Sequence, residues 1–155
     1  MRANREVFGG VLLLSAILLV AWPSTSSSRT PPQTGEPVPA YHDHLPPGPL
    51  PATMAPSDFS DPVVKNAYRL AARVKKVLYK QPCYCHCDRS QGHGSLLDCY
   101  VSMHASMCDI CVREALYSYE QNRKGKTPEQ IRAGIIRGDW QTMNISKYRT
   151  YPAKP

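Results

Sequence analysis

The chain has 155 residues, a formal net charge of +7, 15 prolines and six cysteines. This length allows one modest domain with appendages, which excludes a large two-domain enzyme. Only one apolar run is long enough to engage a bilayer, which excludes a bundle of membrane helices.

Residues 1–22 have the pattern of an export signal. Arg2 and Arg5 precede an apolar run from Val7 to Trp22, as a positively charged segment precedes the apolar core of a signal peptide. No strong small-residue cleavage site follows, so a cleaved signal peptide and an uncleaved signal anchor both stay open. Because the basic end stays in the cytoplasm, we expect an exported protein, located in the periplasm or outside the cytoplasmic membrane.

Residues 23–56 are predicted to be a disordered tether rich in proline and serine. The stretch 23–62 contains 11 of the 15 prolines with few apolar residues between them, so no packed core can form. Within it, Tyr41 precedes His42, Asp43 and His44, and two histidines at that spacing can capture a transition metal weakly. A solvated patch in a linker is the favoured interpretation of this motif.

Residues 57–140 are predicted to fold as a small, mainly α domain that begins with an amphipathic helix. Apolar residues recur at helical spacing from Val63 to Leu78, Pro62 suits the first helical position, and Pro82 ends the helix. The opposite face carries a basic stripe formed by Lys65, Arg69, Arg73, Lys76 and Lys80. Such a stripe favours an anionic membrane or wall surface over nucleic acid, and an ordinary solvated face is an equal alternative.

Two further helices are predicted from their N-terminal signals. Ser106 and Asp109 form a capping-box pattern, and so do Thr127 and Gln130, which open a short helix closed by Gly138.

Two stretches have weaker patterns. Residues 95–103 fit both a short helix and a strand, because Leu97, Cys99 and Val101 alternate. Residues 141–155 have no periodicity and are predicted to be a disordered basic tail.

The cysteines supply the staple that a domain of about 80 residues needs. All six lie between Cys83 and Cys111, as C-x-C-x-C, then Cys99, then C-x-x-C. Cysteines at alternate positions are too close to pair with one another. In a disulfide framework each of the first three would therefore pair with Cys99, Cys108 or Cys111, which leaves six pairings open.

A metal site is the alternative to disulfides. Cys108 and Cys111 share the start of a helix, where the helix dipole favours thiolates, and two thiolates from the turn would complete a tetrahedral Cys₄ site for zinc. Thiolates with histidine and methionine nearby suit copper(I) equally, and an iron–sulfur cluster ranks below both. The candidate ligands are Cys83, Cys85, Cys87, Cys99, Cys108, Cys111, His86 and His93. The minimal set is Cys83, Cys85, Cys108 and Cys111, with Cys87 or Cys99 as a further ligand. The same stretch also holds His104, Met103 and Met107.

These motifs stand in a longer pattern. The first element is the PCYCHC sequence from Pro82 to Cys87, and the second is Gly92-His93 with Ser95-Leu96 before Cys99. The third is Cys108-x-Ile110-Cys111 followed by Glu114-Ala115. The last is Gly125 followed by Ile131-Arg132-Ala133. The pattern resembles that of the bacterial PCYCGC-motif proteins, a family of exported proteins and lipoproteins. The resemblance runs from Pro82 to about Asp139 and implies a metal-binding domain, without implying any reaction.

The sequence departs from the family pattern at two points. His86 stands where the family has glycine, which adds a donor to the motif and predicts a turn with positive φ at this residue. The cysteine that is acylated in lipoprotein members is absent, which argues against a lipid anchor.

The sequence therefore predicts an exported metal-binding protein of the cell envelope, with a zinc or copper(I) site that is structural or serves metal handling. A disulfide-stapled envelope interaction module is the alternative. An extracytoplasmic thiol oxidoreductase is the second alternative. It is disfavoured because the C-x-x-C motif lacks the βαβ pattern that surrounds it in thioredoxin-like proteins. No hydrolase motif and no phosphate-binding loop is present, so catalysis is not the favoured role.

Overall fold

The computed structural model describes residues 37–150, and the predicted signal segment lies outside this range. The described chain is helical and contains no strand, which confirms the predicted fold class. Its helices are α1 (Pro62–Arg73), α2 (Lys75–Leu78), α3 (Cys87–Ser90), α4 (Asp98–Val101), α5 (Asp109–Arg123) and α6 (Pro128–Ile136). Short 3₁₀ helices span Pro56–Asp58, His104–Met107, Asp139–Thr142 and Ile145–Arg149. Within residues 37–150 no helix has the length and apolar character needed to cross a membrane.

Helix α1 begins where the sequence predicts. The Asp61 carboxylate accepts hydrogen bonds from the backbone nitrogens of Val63 and Val64, at 2.8 and 3.0 Å, and Pro62 occupies the first turn. The cap satisfies two backbone donors that the helix cannot satisfy itself. The buried face of α1 comprises Val63, Asn66, Ala67, Tyr68, Leu70 and Ala71.

The prediction of one continuous helix to residue 80 is wrong, because the helix breaks at Val74. The backbone there has φ −122° and ψ 29°, outside the helical range, and α2 starts at the next residue. Beyond the break, the Lys75 ammonium donates to the carbonyls of Leu50 and Pro51, at 3.3 and 3.0 Å. The break in the helix at Val74 therefore lies next to a contact between Lys75 and the segment that precedes α1.

The basic stripe does not form one open face. Arg73 and Lys76 are exposed, whereas Lys65, Arg69 and Lys80 are only partly so. The Arg69 guanidinium donates to Asn66 Oδ1 at 2.7 Å, and Lys80 pairs with Glu129 at the start of α6, at 3.2 Å. An anionic surface as partner stays a prediction.

Helix α5 is the central helix and packs against α1 and α6. Its predicted capping box is wrong: Cys108 is the N-cap, no side chain caps the helix, and α5 starts at Asp109. Ser106 Oγ instead donates to the Met103 carbonyl at 2.7 Å, because residues 104–107 form a 3₁₀ turn of their own. The capping box of α6 is confirmed, with Thr127 and Gln130 bonded reciprocally.

Residues 95–103 contain the short helix α4 and no strand. The Asp98 carboxylate accepts hydrogen bonds from the backbone nitrogens of Gly94 and Ser95, at 2.7 and 3.1 Å, and α4 follows. These hydrogen bonds order the loop before α4, and Cys99 lies on the buried side of α4 with its Sγ 3.3 Å from that of Cys87.

The predicted disordered tail is docked as far as the structure describes it. Tyr148 is buried, its carbonyl accepts from Asn66 Nδ2 at 2.6 Å, and its hydroxyl donates to Glu120 at 2.6 Å. Lys147 pairs with the same Glu120 carboxylate. Isolated anchors of this kind leave no periodic signal in the sequence.

The described part of the predicted tether, residues 37–56, also lies on the helical domain. His42 stacks on Tyr79 with ring centroids 4.0 Å apart. Arg132 of α6 lies 4.1 Å from the Tyr41 ring centroid and pairs with Asp43 at 3.0 Å. Three residues of the weak metal motif thus make docking contacts, while the domain boundary at residue 57 stays a prediction.

We expect Arg132→Ala to release this segment, because the change removes both the cation–π contact and the ion pair. The loss is about 1 kcal/mol locally, so amide hydrogen exchange in residues 38–45 should accelerate several-fold while α5 is unchanged. Arg123→Ala is the matched control, since Arg123 lies over the Tyr119 ring on α5, away from this segment. Equal exchange in the two variants would contradict the docking.

Candidate metal centre

The cysteine turn, residues 83–87, is held by a buried glutamine before it. Gln81 is fully buried, and its Nε2 donates to the carbonyls of Val77 and Pro128, both at 3.1 Å. Its own carbonyl accepts from the backbone nitrogen of Leu96 at 2.9 Å. The side chain and the backbone carbonyl of Gln81 together therefore fix the entry to the turn against α2, the start of α6 and the loop before α4.

Buried Glu114 of α5 holds the turn itself. Its Oε1 accepts a hydrogen bond from the backbone nitrogen of Tyr84 at 2.9 Å, and no part of the residue is exposed. Burial raises the pKa of Glu114 well above its usual range, which favours the neutral acid. A neutral acid adds no negative charge beside the cysteines.

Five of the six cysteines lie within 3.6 Å of another sulfur atom, and Cys108 Sγ lies within 4.8 Å of those of Cys85 and Cys111. Cys83 Sγ is 3.3 Å from Cys85 and 3.4 Å from Cys111, and Cys85 and Cys111 are 3.6 Å apart. Cys87 and Cys99 are 3.3 Å apart. A disulfide bond measures about 2.05 Å, so all six are free thiols in this structure.

Two histidines complete the cluster. His93 Nδ1 is 3.3 Å from Cys99 Sγ, and His104 Nε2 is 3.6 Å from Cys85 Sγ. The two imidazole rings meet edge to face, 5.1 Å apart. Three overlapping groups have four donor atoms all within 4.8 Å of one another: Cys83, Cys85, Cys87 and Cys99; Cys85, His104, Cys108 and Cys111; Cys87, His93, Cys99 and His104.

The structure thus brings together seven of the eight predicted ligands, which are the six cysteines and His93. His86 is not among the donors in these groups, although it lies in the turn. His104 belongs to two groups, and sequence reasoning left it out of the ligand set. The sequence indicated a role for His104 only by placing it in the same stretch as the cysteines. Its position beside Cys85 depends on how the 3₁₀ turn that carries it packs in the tertiary structure.

The prediction of a turn with positive φ at His86 is confirmed. The residue has φ 57° and ψ 32°, the left-handed conformation that glycine adopts most readily. It directly precedes α3, whose first residue is Cys87. The left-handed residue therefore turns the chain between the first two cysteines of the motif and the third.

The helix dipole does not decide which thiols ionise. The pKa of Cys111 is raised, first by its hydrogen bond with Cys108, and the pKa of Cys108 is raised by Cys85 and burial despite the opposite effect of Cys111. Hydrogen bonds from Cys108 and Cys111 lower the pKa of Cys85, and hydrogen bonds with Cys111 and Cys83 lower that of Cys99 to about 3. A raised pKa at Cys108 disfavours a nucleophilic role for the C-x-x-C pair.

The fold and this cluster define a class: small all-helical domains whose clustered cysteine and histidine side chains can hold a metal ion. The chain belongs to the PCYCGC family, described as proteins of unknown function with a PCYCGC motif, and the family model matches residues 50–141. No curated protein and no solved structure shows significant similarity to the chain. The resemblance drawn from the motifs is confirmed, and the matched region includes every donor of the cluster.

We expect Glu114→Leu to destabilise the domain by about 1–3 kcal/mol, because it leaves the partly buried Tyr84 nitrogen without its acceptor. Glu114→Gln is the matched control, since its amide oxygen can accept the same hydrogen bond. Urea unfolding under reducing conditions measures both. Equal losses in the two variants would show that the acid itself, and not the acceptor, supports the turn.

We expect His86→Gly to keep the full metal content and to leave the melting temperature unchanged or higher. Glycine adopts the left-handed conformation without the strain of a side chain, and His86 lies outside the donor groups. Elemental analysis and thermal melting of the two proteins test this. A fall in bound metal would make His86 a ligand after all.

Proposed function

We propose that this chain is an exported metal-binding protein whose Cys/His cluster holds a thiophilic ion, zinc or copper(I). The observation that carries the proposal is the convergence of eight soft or borderline donors in three overlapping groups of ligand spacing. Thiolate and imidazole are the ligands that both ions prefer in proteins. The role is structural or metal handling in the cell envelope, with the signal pattern of residues 1–22 as the basis for export.

The donor set fits such an ion. Tetrahedral zinc with bonds of about 2.3 Å to sulfur spaces its sulfurs about 3.8 Å apart. The contacts of 3.3–3.6 Å among Cys83, Cys85 and Cys111 are shorter by a few tenths of an ångström. Small movements of these side chains would therefore reach ligand geometry. They would also relieve contacts that bare sulfur atoms tolerate poorly.

A disulfide-stapled interaction module is the second candidate, because one specific pairing is available. Cys83 lies 3.4 Å from Cys111, Cys87 lies 3.3 Å from Cys99, and Cys85 is in the same group as Cys108. These three pairs use each cysteine once. An oxidising compartment favours such bonds over free thiols.

Intact-mass measurement of the protein purified without oxygen or reductant separates the two candidates. Free thiols with bound metal support the first. Loss of two hydrogens for each of three disulfides, with no bound metal, supports the second. Elemental analysis of the same sample identifies zinc or copper.

We expect metal removal to destabilise the domain strongly. A domain of this size has little surplus stability, and a structural ion can contribute on the order of 10 kcal/mol. Chelation under reducing conditions should therefore lower the melting temperature sharply, and returning the ion should restore it. An unchanged melting curve after demonstrated metal loss would remove the structural role.

A further inference from the structure

The cluster has more donors than one ion can use. A tetrahedral ion takes four ligands, and the cluster offers six thiols and two imidazoles. If Cys83, Cys85, Cys108 and Cys111 held a single ion, Cys87, Cys99 and His93 would remain in mutual contact. Two of those three contacts measure 3.3 Å, and both thiols are buried. In a one-ion site this second group of donors would have no metal ion to bind.

The eight donors divide into two sets of four with no ligand shared. Cys87, His93, Cys99 and His104 form one set, with every pair of donor atoms within 4.8 Å. The other set is Cys83, Cys85, Cys108 and Cys111. In it, Cys83 lies 3.3 Å from Cys85 and 3.4 Å from Cys111, and the sulfur atoms of Cys85, Cys108 and Cys111 lie within 4.8 Å of one another. The sets are a Cys₂His₂ and a Cys₄ site, both typical of tetrahedral zinc.

Charge does not oppose a second ion. Metal ligation needs thiolates, so a divalent ion with four cysteine ligands carries a net charge of −2. A divalent ion with two thiolates and two neutral imidazoles carries no net charge. No lysine or arginine is buried anywhere in residues 37–150, and a neutral second site adds no buried charge that would need one.

We propose that the domain binds two zinc ions in neighbouring sites, a Cys₄ site of Cys83, Cys85, Cys108 and Cys111 and a Cys₂His₂ site of Cys87, His93, Cys99 and His104. The 3.6 Å contact between Cys85 Sγ and His104 Nε2 joins the two sites. This inference rests on the proposed metal-binding function and adds its stoichiometry and ligand assignment.

The test is zinc stoichiometry of the full chain, reduced and loaded with Zn²⁺ without oxygen, by native mass spectrometry and elemental analysis. The wild-type chain is expected to bind two ions. His93→Ala should keep one, in the Cys₄ site, and Cys108→Ser should keep one, in the Cys₂His₂ site. His44→Ala is the control, because this exposed histidine lies outside the donor groups, and it should keep two.

Each outcome of the zinc measurement either supports or overturns the two-site assignment. One ion in the wild-type chain overturns the two-site assignment and leaves the metal-binding function standing, whereas no bound ion overturns both. Two ions in the wild-type chain and none in either variant would overturn the division into separate sets. Titration of the wild-type chain with Co²⁺ needs no variant to fold: tetrahedral absorption should rise to two equivalents, and an end point at one equivalent refutes the second site.

Discussion

Sulfur–sulfur contact between the cysteine turn and the first turn of α5 is the constraint on which this domain depends. Cys83 touches Cys85 and Cys111, so the motif and the central helix meet at their sulfur atoms. Helix α5 also packs against α1 and α6, and the contact therefore connects the cysteine turn to the whole helical core. A small core gains most from a link of this kind, because it joins parts of the chain that local structure cannot hold together.

Side chains around the cluster hold the backbone of the cysteine-bearing segments, and bound ions would supply the charge balance. Buried Gln81 bonds three backbone groups, and buried Glu114 bonds a fourth inside the turn. The Tyr100 hydroxyl donates to the Cys111 carbonyl at 2.9 Å, on the far side of the cluster. These contacts place the sulfur atoms close together, and no buried basic side chain is present among residues 37–150. Position therefore comes from hydrogen bonds, and the charge of any ligating thiolates would be balanced by the ion that they could hold.

Local signals in the sequence predicted the structure well where a few neighbouring residues decide it. The cap at Asp61, the capping box at Thr127 and the left-handed turn at His86 all appear as expected. Signals failed where another contact, local or distant, competes with the expected one. Ser106 bonds within a 3₁₀ turn instead of capping α5, and the first helix breaks at Val74 although its apolar spacing continues. Residues 37–56 and 143–149 gave no periodic pattern, yet they dock through Arg132, Asn66 and Glu120.

The helical class, the family and the donor types could all be predicted from the amino-acid sequence, because composition, caps and cysteine spacing are properties of short stretches of chain. The tertiary structure settles which donors meet. It added His104 through the 3₁₀ turn that carries it, left His86 outside the donor groups, and set Cys99 of α4 beside Cys87. It also raised the pKa values of Cys108 and Cys111, through hydrogen bonds with neighbouring thiols and burial, where the start of a helix alone would lower them. Distances between residues far apart in the chain fix all of these features, and sequence spacing does not contain those distances.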